Sequence, residues 1–161
     1  MVLDHEPHAF LFALWKNVTI LVWAARTNDG IPRLKLALAK VAGSHPKGRS
    51  TVSLIADGLA PPSNHDKERA AFLELVRQAS DLVCFAVVVK REGFAASAWR
   101  SVHTGMRLRP QQPCEIGVLG SIDELMHWLP SRHAKTGVIL NPDELGHIVR
   151  HALEIALTGK T

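Results

Sequence analysis

The sequence predicts a mixed α/β fold built on a mostly parallel sheet. Three observations carry that prediction. Two apolar, β-prone runs, Phe10 to Trp15 and Val18 to Ala25, are separated only by Lys16-Asn17, a two-residue hairpin signal. Leu82 to Val89 is almost unbroken in its apolar character, as a strand covered on both faces must be. Elsewhere short apolar runs alternate with segments of helical period, and right-handed crossovers turn that alternation into a parallel sheet. With 161 residues, 47% hydrophobic and 21% charged, the chain can bury one core and falls outside the disordered class.

In the hairpin, Asn17 is the residue expected to take the positive φ of the tight turn. Asn28-Asp29-Gly30-Ile31-Pro32 then opens a helix, with Pro32 suited to its first turn. Leu34, Leu38 and Val41 line one face of it, and Gly43 and Pro46 end it. Thr51 to Ala56 is a β-branched run ending in Asp57-Gly58, followed by the breaker-rich loop Ala60-Pro61-Pro62-Ser63-Asn64. From Asp66 the period becomes helical through Phe72, Leu75, Val76 and Ala79. After the strand Leu82 to Val89, the residues Phe94, Ala98, Val102 and Met106 mark a third crossover helix.

Glu115 to Leu119 is the next short strand. Ser121-Ile122-Asp123-Glu124 reads as a capping box for a helix carrying Leu125, Trp128 and Leu129 and stopping at Pro130. Ser131 to Leu140 reads as a basic, loop-like connector. Asn141-Pro142-Asp143-Glu144 starts a last helix with a cap, a first-turn proline and acids at the positive end of the dipole. Its stripe of Leu145, Ile148, Val149, Ala152 and Ile155 or Ala156 must be buried, against its own domain or against a second copy. The expected order is β-β-α-β-α-β-α-β-α plus a C-terminal helix, the hairpin adding one antiparallel edge strand.

Nineteen Lys and Arg against fifteen Asp and Glu give a formal charge of +4, too little to define a nucleic-acid binder. The apolar stretch Ala9 to Ala25 is interrupted by Lys16 and Asn17, short of the roughly 18 residues of a membrane span. The first residues lack the basic start and cleavage site of a secretory signal, so the expected address is cytoplasmic. The two cysteines, Cys84 and Cys114, show no CxxC spacing, and Cys84 reads as a small buried hydrophobe.

This succession of elements, from the hairpin Phe10–Ala25 to the Gly120-Ser121 turn and the helix ending Trp128-Leu129, resembles a STAS-type domain. That is the fold of anti-sigma-factor antagonists and SpoIIAA-like proteins. The resemblance covers residues 8–130 and leaves 131–161 as a connector with an amphipathic helix. It implies a non-enzymatic regulatory and signalling domain without a cofactor. Its partner is then another protein, such as a regulatory kinase or an anti-sigma-type protein. It also places a phospho-switch where the second helix begins, here the loop Asp57 to Asn64. The family's Asp-Ser-x-Gly-like turn is replaced by Asp57-Gly58-Leu59-Ala60-Pro61-Pro62-Ser63-Asn64, in which Ser63 is the nearby hydroxyl.

Three surfaces are therefore candidates. Asp57, Ser63 and Asn64 form the switch or partner contact, although Ser63 also fits an N-cap with Asp66 three residues on. Arg100, His103, Arg107 and Arg109 place cations on one helix face, a dock for an acidic partner or simply a solvated face. Phe94 and Trp99, beside Gly93 and Ala95-Ala96, are core residues or line an apolar pocket, as a small-ligand or lipid-binding SpoIIAA-like module requires. Asp57 at a strand end also suggests a phosphoacceptor, but no carboxylate pair accompanies it to hold Mg²⁺. His147 and His151 lie at i, i+4 but without the Glu of a metalloprotease. They and His103, His127 and His133 read as solvated or capping side chains, with no metal expected.

Overall fold

A computed structural model of the chain describes residues 1–42, 44–45, 47–57, 59, 67–89, 97–101, 104 and 114–160, with the side chains of 68, 69 and 73 left aside. Six strands form one sheet in the order β1-β2-β3-β4-β5-β6. They are β1 (Val2–Glu6), β2 (Phe10–Trp15), β3 (Val18–Trp23), β4 (Arg49–Ile55), β5 (Leu82–Val89) and β6 (Glu115–Leu119). β1, β2 and β3 are antiparallel, and β3 through β6 are parallel. The helices are α1 (Gly30–Val41), α2 (Lys67–Gln78), α3 (97–101), α4 (Ile122–His133) and α5 (Pro142–Thr158), with a 3₁₀ turn, η1 (Ala134–Thr136). The mixed α/β class and the C-terminal helix are those the sequence predicts.

The strand order never reverses, so right-handed crossovers lay every connecting helix on the same face of the sheet. Phe10, Phe12 and Leu21 accordingly pack with Leu34 and Ala37 of α1, and Phe85, Val87 and Ile116 pack with Phe72, Val76 and Trp99. The opposite face, bearing Val52, Leu54, Cys84, Ala86 and Val88, is left to the elements after the last strand. It is covered by Leu125 and Leu129 of α4 and by Leu145, Val149, Ala152, Ile155 and Ala156 of α5. Both faces of the central strands are therefore buried, which is why Leu82–Val89 lacks polar alternation. The α5 stripe packs on the chain's own sheet.

Four expectations need correction. β1 was not anticipated: its Asp4 and Glu6 are stabilised by Arg33 of α1, at 2.7 and 2.6 Å. That ion-pair set also holds the Asp4 carboxyl below the usual range. The outer antiparallel edge is thus β1 and not the hairpin. The positive φ of the hairpin turn belongs to Lys16 (54°), which leaves the Asn17 side chain free to turn inward. α4 does not stop at Pro130 but runs through it to His133. A proline inside a helix costs about 3 kcal/mol; burial of Leu129 and His133, one turn apart, offsets it. The connector accordingly begins after that helix and includes η1.

The caps predicted at Ser121 and Asn141 form, whereas at α1 the N-cap Asp29 makes no side-chain cap hydrogen bond. The Ser121 hydroxyl accepts from the Glu124 amide at 3.1 Å while the Glu124 carboxylate accepts from the Gly120 amide at 2.8 Å. Asn141 Oδ1 accepts from the amides of Asp143 and Glu144. Ser121→Ala is expected to lower stability by about 1 kcal/mol, read as a reduced urea midpoint at unchanged slope.

Candidate functional site

Two of the sequence's candidate residues, Asp57 and Trp99, fall beyond the carboxyl ends of the parallel strands; the strand order of the described residues does not reverse, so no switch-point crevice forms there. The rim at that end is formed beyond Trp23, Ile55 and Val89. The Ala56 amide donates to the Trp23 carbonyl at 2.9 Å, prolonging the β3–β4 ladder by one bond and setting exposed Asp57 just outside the sheet. Two residues on, the Leu59 carbonyl accepts from the Trp99 indole N–H at 2.7 Å. The Trp99 ring packs against the cluster of Ile55, Phe85 and Val87. This satisfies both ends of an amphipathic side chain and pins α3 to the loop that follows β4.

Asp57 and Trp99, assigned to separate candidate surfaces by the sequence, thus lie on one rim. Arg100, half-buried, follows Trp99 in α3. Ser63, Asn64, Phe94, His103, Arg107 and Arg109 lie outside the described residues, as do Gly93 and Ala95-Ala96. Beneath the rim, Trp23 meets Phe12 at 5.1 Å and Phe72 at 6.4 Å between ring centroids, both edge-on. The rim is therefore carried on a stiff aromatic base.

The opposite end of the sheet, where the parallel strands begin, holds a polar chain the sequence did not reveal. His133 is fully buried. Its Nε2 lies 2.8 Å from Asn17 Oδ1, and its Nδ1 lies 2.7 Å from Ser50 Oγ. Ser50 Oγ is 3.1 Å from Cys84 Sγ, and Asn17 Nδ2 donates to the Gly48 carbonyl at 2.9 Å. The Gly48 contact fixes the Asn17 amide, so Nε2 of His133 carries the proton and Nδ1 accepts from the Ser50 hydroxyl. Beside this chain Arg49 donates to Asp81 at 2.7 Å and to the Thr19 hydroxyl at 3.2 Å.

Burial, aided by the Lys16 charge, pushes the His133 imidazole down to about 4. Burial also raises the Cys84 thiol and pushes Cys114 up to about 12, so both thiols stay protonated at neutral pH. An Asn–His–Ser set beside a thiol has the residue types of a nucleophile and its base. Here Ser50, Cys84 and His133 are each 0% exposed, closed to solvent in this structure. The set knits the turn before β3, the starts of β4 and β5, and the end of α4 into one corner. His133 is thus a core histidine and not a solvated or capping one. His127, His147 and His151 are exposed.

A separate cavity of about 410 Å³ lies along β6, lined by the strand itself and by Trp128 and Arg132. Gly117 is required there, since a Cβ would meet the Trp128 ring at 2.6 Å. Arg132 stacks on the same ring at 4.4 Å and pairs with Glu115 at 2.6 Å. Among the described residues, no three His, Cys, Asp or Glu converge to hold a metal ion, and no helix is long and apolar enough to cross a membrane. No protein-family profile, no curated protein and no solved structure matches this chain.

Proposed function

We propose that this chain is a regulatory protein–protein interaction domain of the STAS type, acting without chemistry of its own. Its partner contact is the sequence segment Asp57–Asn64, of which Asp57 stands on the rim, with the start of the second helix, and the cationic face beginning at Arg100 is a secondary contact. The partner class implied is a regulatory kinase or an anti-sigma-type protein in the cytoplasm. The observation that carries the reading is the placement of Asp57. It is exposed immediately beyond β4, on a rim braced by the Trp99–Leu59 bond, while the Asn17–His133–Ser50 set is sealed in the core. A recognition loop on a rigid scaffold is the arrangement that binding modules use.

Native mass spectrometry of the purified chain separates this reading from a ligand carrier. The bare polypeptide mass is expected. A small molecule co-purifying in stoichiometric amount makes the chain a small-ligand or lipid-binding module with its pocket near Phe94 and Trp99. If Ser63 is the switch, phosphate enters at that residue and disappears in Ser63→Ala.

A further inference from the structure

We propose that the His133 cluster is an acid-operated latch: protonation of the buried imidazole frees the α4–η1 corner from the sheet while the sheet itself stays formed. Among the described residues, the bonds from His133 to Ser50 and Asn17 are the buried side-chain hydrogen bonds that join the α4–α5 layer to the sheet. The latch therefore sits at a junction between layers.

The neutral ring fits because every donor meets an acceptor: Nε2–H to Asn17, Ser50 O–H to Nδ1, and the Cys84 thiol to Ser50. An imidazolium donates from both nitrogens. Ser50 must then turn its proton towards sulfur, a weak acceptor, and the added charge gains no carboxylate in its bonded set. The charged groups on the surrounding elements do not supply one. Lys16, from the β2–β3 turn, opposes the charge and is itself paired with Glu144 of α5 at 3.0 Å. Arg49 of β4 is engaged with Asp81 at the entry to β5, and Glu115 of β6 with Arg132 of α4. Lys135 of η1 is another cation, and the Cys84 thiol of β5 is neutral.

The imidazolium is hydrated only if the corner moves outward, taking with it the buried Thr136, whose hydroxyl donates to the His133 carbonyl at 2.8 Å. α4 passes into the single turn η1, which ends at Gly137 in the left-handed region (φ 80°). Residues 138–141 then run without regular structure to α5. A ring at about 4 when shut and at its ordinary value near 6.5 when open makes the opening equilibrium rise about 30-fold between pH 8 and pH 5.

The test uses the full chain with Cys114→Ser, so that Cys84, 0% exposed, is the reporting thiol. Its reaction with 4,4′-dithiodipyridine is followed from pH 8 to pH 5 and normalised at each pH to the urea-unfolded chain. Labelling is expected to rise about 30-fold with the far-ultraviolet circular dichroism unchanged. His133→Gln, which keeps a donor and an acceptor but never charges, is expected to abolish the rise. Lys16→Asn, which tolerates the left-handed turn and removes the opposing cation, brings the shut ring closer to its ordinary value and is expected to shrink the rise, and it carries the test should His133→Gln not fold. Flat labelling in the parent, an equal rise in His133→Gln, or an undiminished rise in Lys16→Asn overturns the latch.

Discussion

His133→Ala is expected to lower the stability of this domain by about 3–5 kcal/mol at pH 7. The substitution opens a cavity in a fully buried site and leaves Asn17 Oδ1 and the Ser50 hydroxyl without their partner. Against a total of about 5–15 kcal/mol for an ordinary domain, that is a severe loss. Urea unfolding at pH 7 measures it; a change under 1 kcal/mol shows that the ring carries no structural weight. The same group sets a pH dependence of definite sign. Its folded value, about 4, lies below its ordinary 6.5, so the unfolded chain takes up the proton first. Stability is complete above pH 6.5, falls as pH drops towards 4, and levels off below that, a total change of about 3 kcal/mol. The lowered Asp4 carboxyl also favours the folded chain at higher pH, but its loss lies below its ordinary 3.8. The two steps are separable, and His133→Gln removes the upper one.

Phe12→Ala is the second large effect, at about 3–5 kcal/mol. Phe12 is 0% exposed, stacks on Phe10 at 4.5 Å between centroids and meets Trp23 edge-on at 5.1 Å. Trp23 continues to Phe72, and Phe72 to Phe85 at 5.8 Å, so the rings form a run from the hairpin across α2 to β5. Truncating one removes its burial and the edge-on contact together, and aromatic pairs add about 0.5–1.5 kcal/mol beyond area. Because the run lies beneath the Asp57 rim, the loss is also expected to loosen that surface. Thermal unfolding followed at 280 nm reads the first effect, and a loss within ±0.5 kcal/mol contradicts the packing described.

The hairpin, the parallel run of strands and both strong helix starts were legible because each is a local matter. Lys16-Asn17 forces a reversal, Leu82–Val89 admits no solvent face, and Ser121 and Asn141 cap through residues two or three positions away. β1 is not legible, because the strand carries Asp4 and Glu6, whose charges are paired only by Arg33, 29 and 27 positions away respectively. Pro130 misled for a related reason: the burial that offsets its cost comes from the sheet beneath α4. The His133–Asn17 bond spans 116 positions, and no spacing rule relates the two residues. At the rim, the junction of Asp57 and Trp99 depends on an indole bonded to a backbone carbonyl 40 positions away, which periodicity does not register.

The rim beyond β4 is the surface proposed to recognise a protein. Capture from native lysate on three baits reads this recognition: the parent chain, Asp57→Arg on the rim, and Lys135→Glu on exposed η1 at the far end of the sheet. Parent and Lys135→Glu are expected to hold the same protein in equal amount, and Asp57→Arg to hold at most a tenth of it, consistent with a loss of about 1.4 kcal/mol or more. Equal capture by all three baits, with each shown to be folded, contradicts the account.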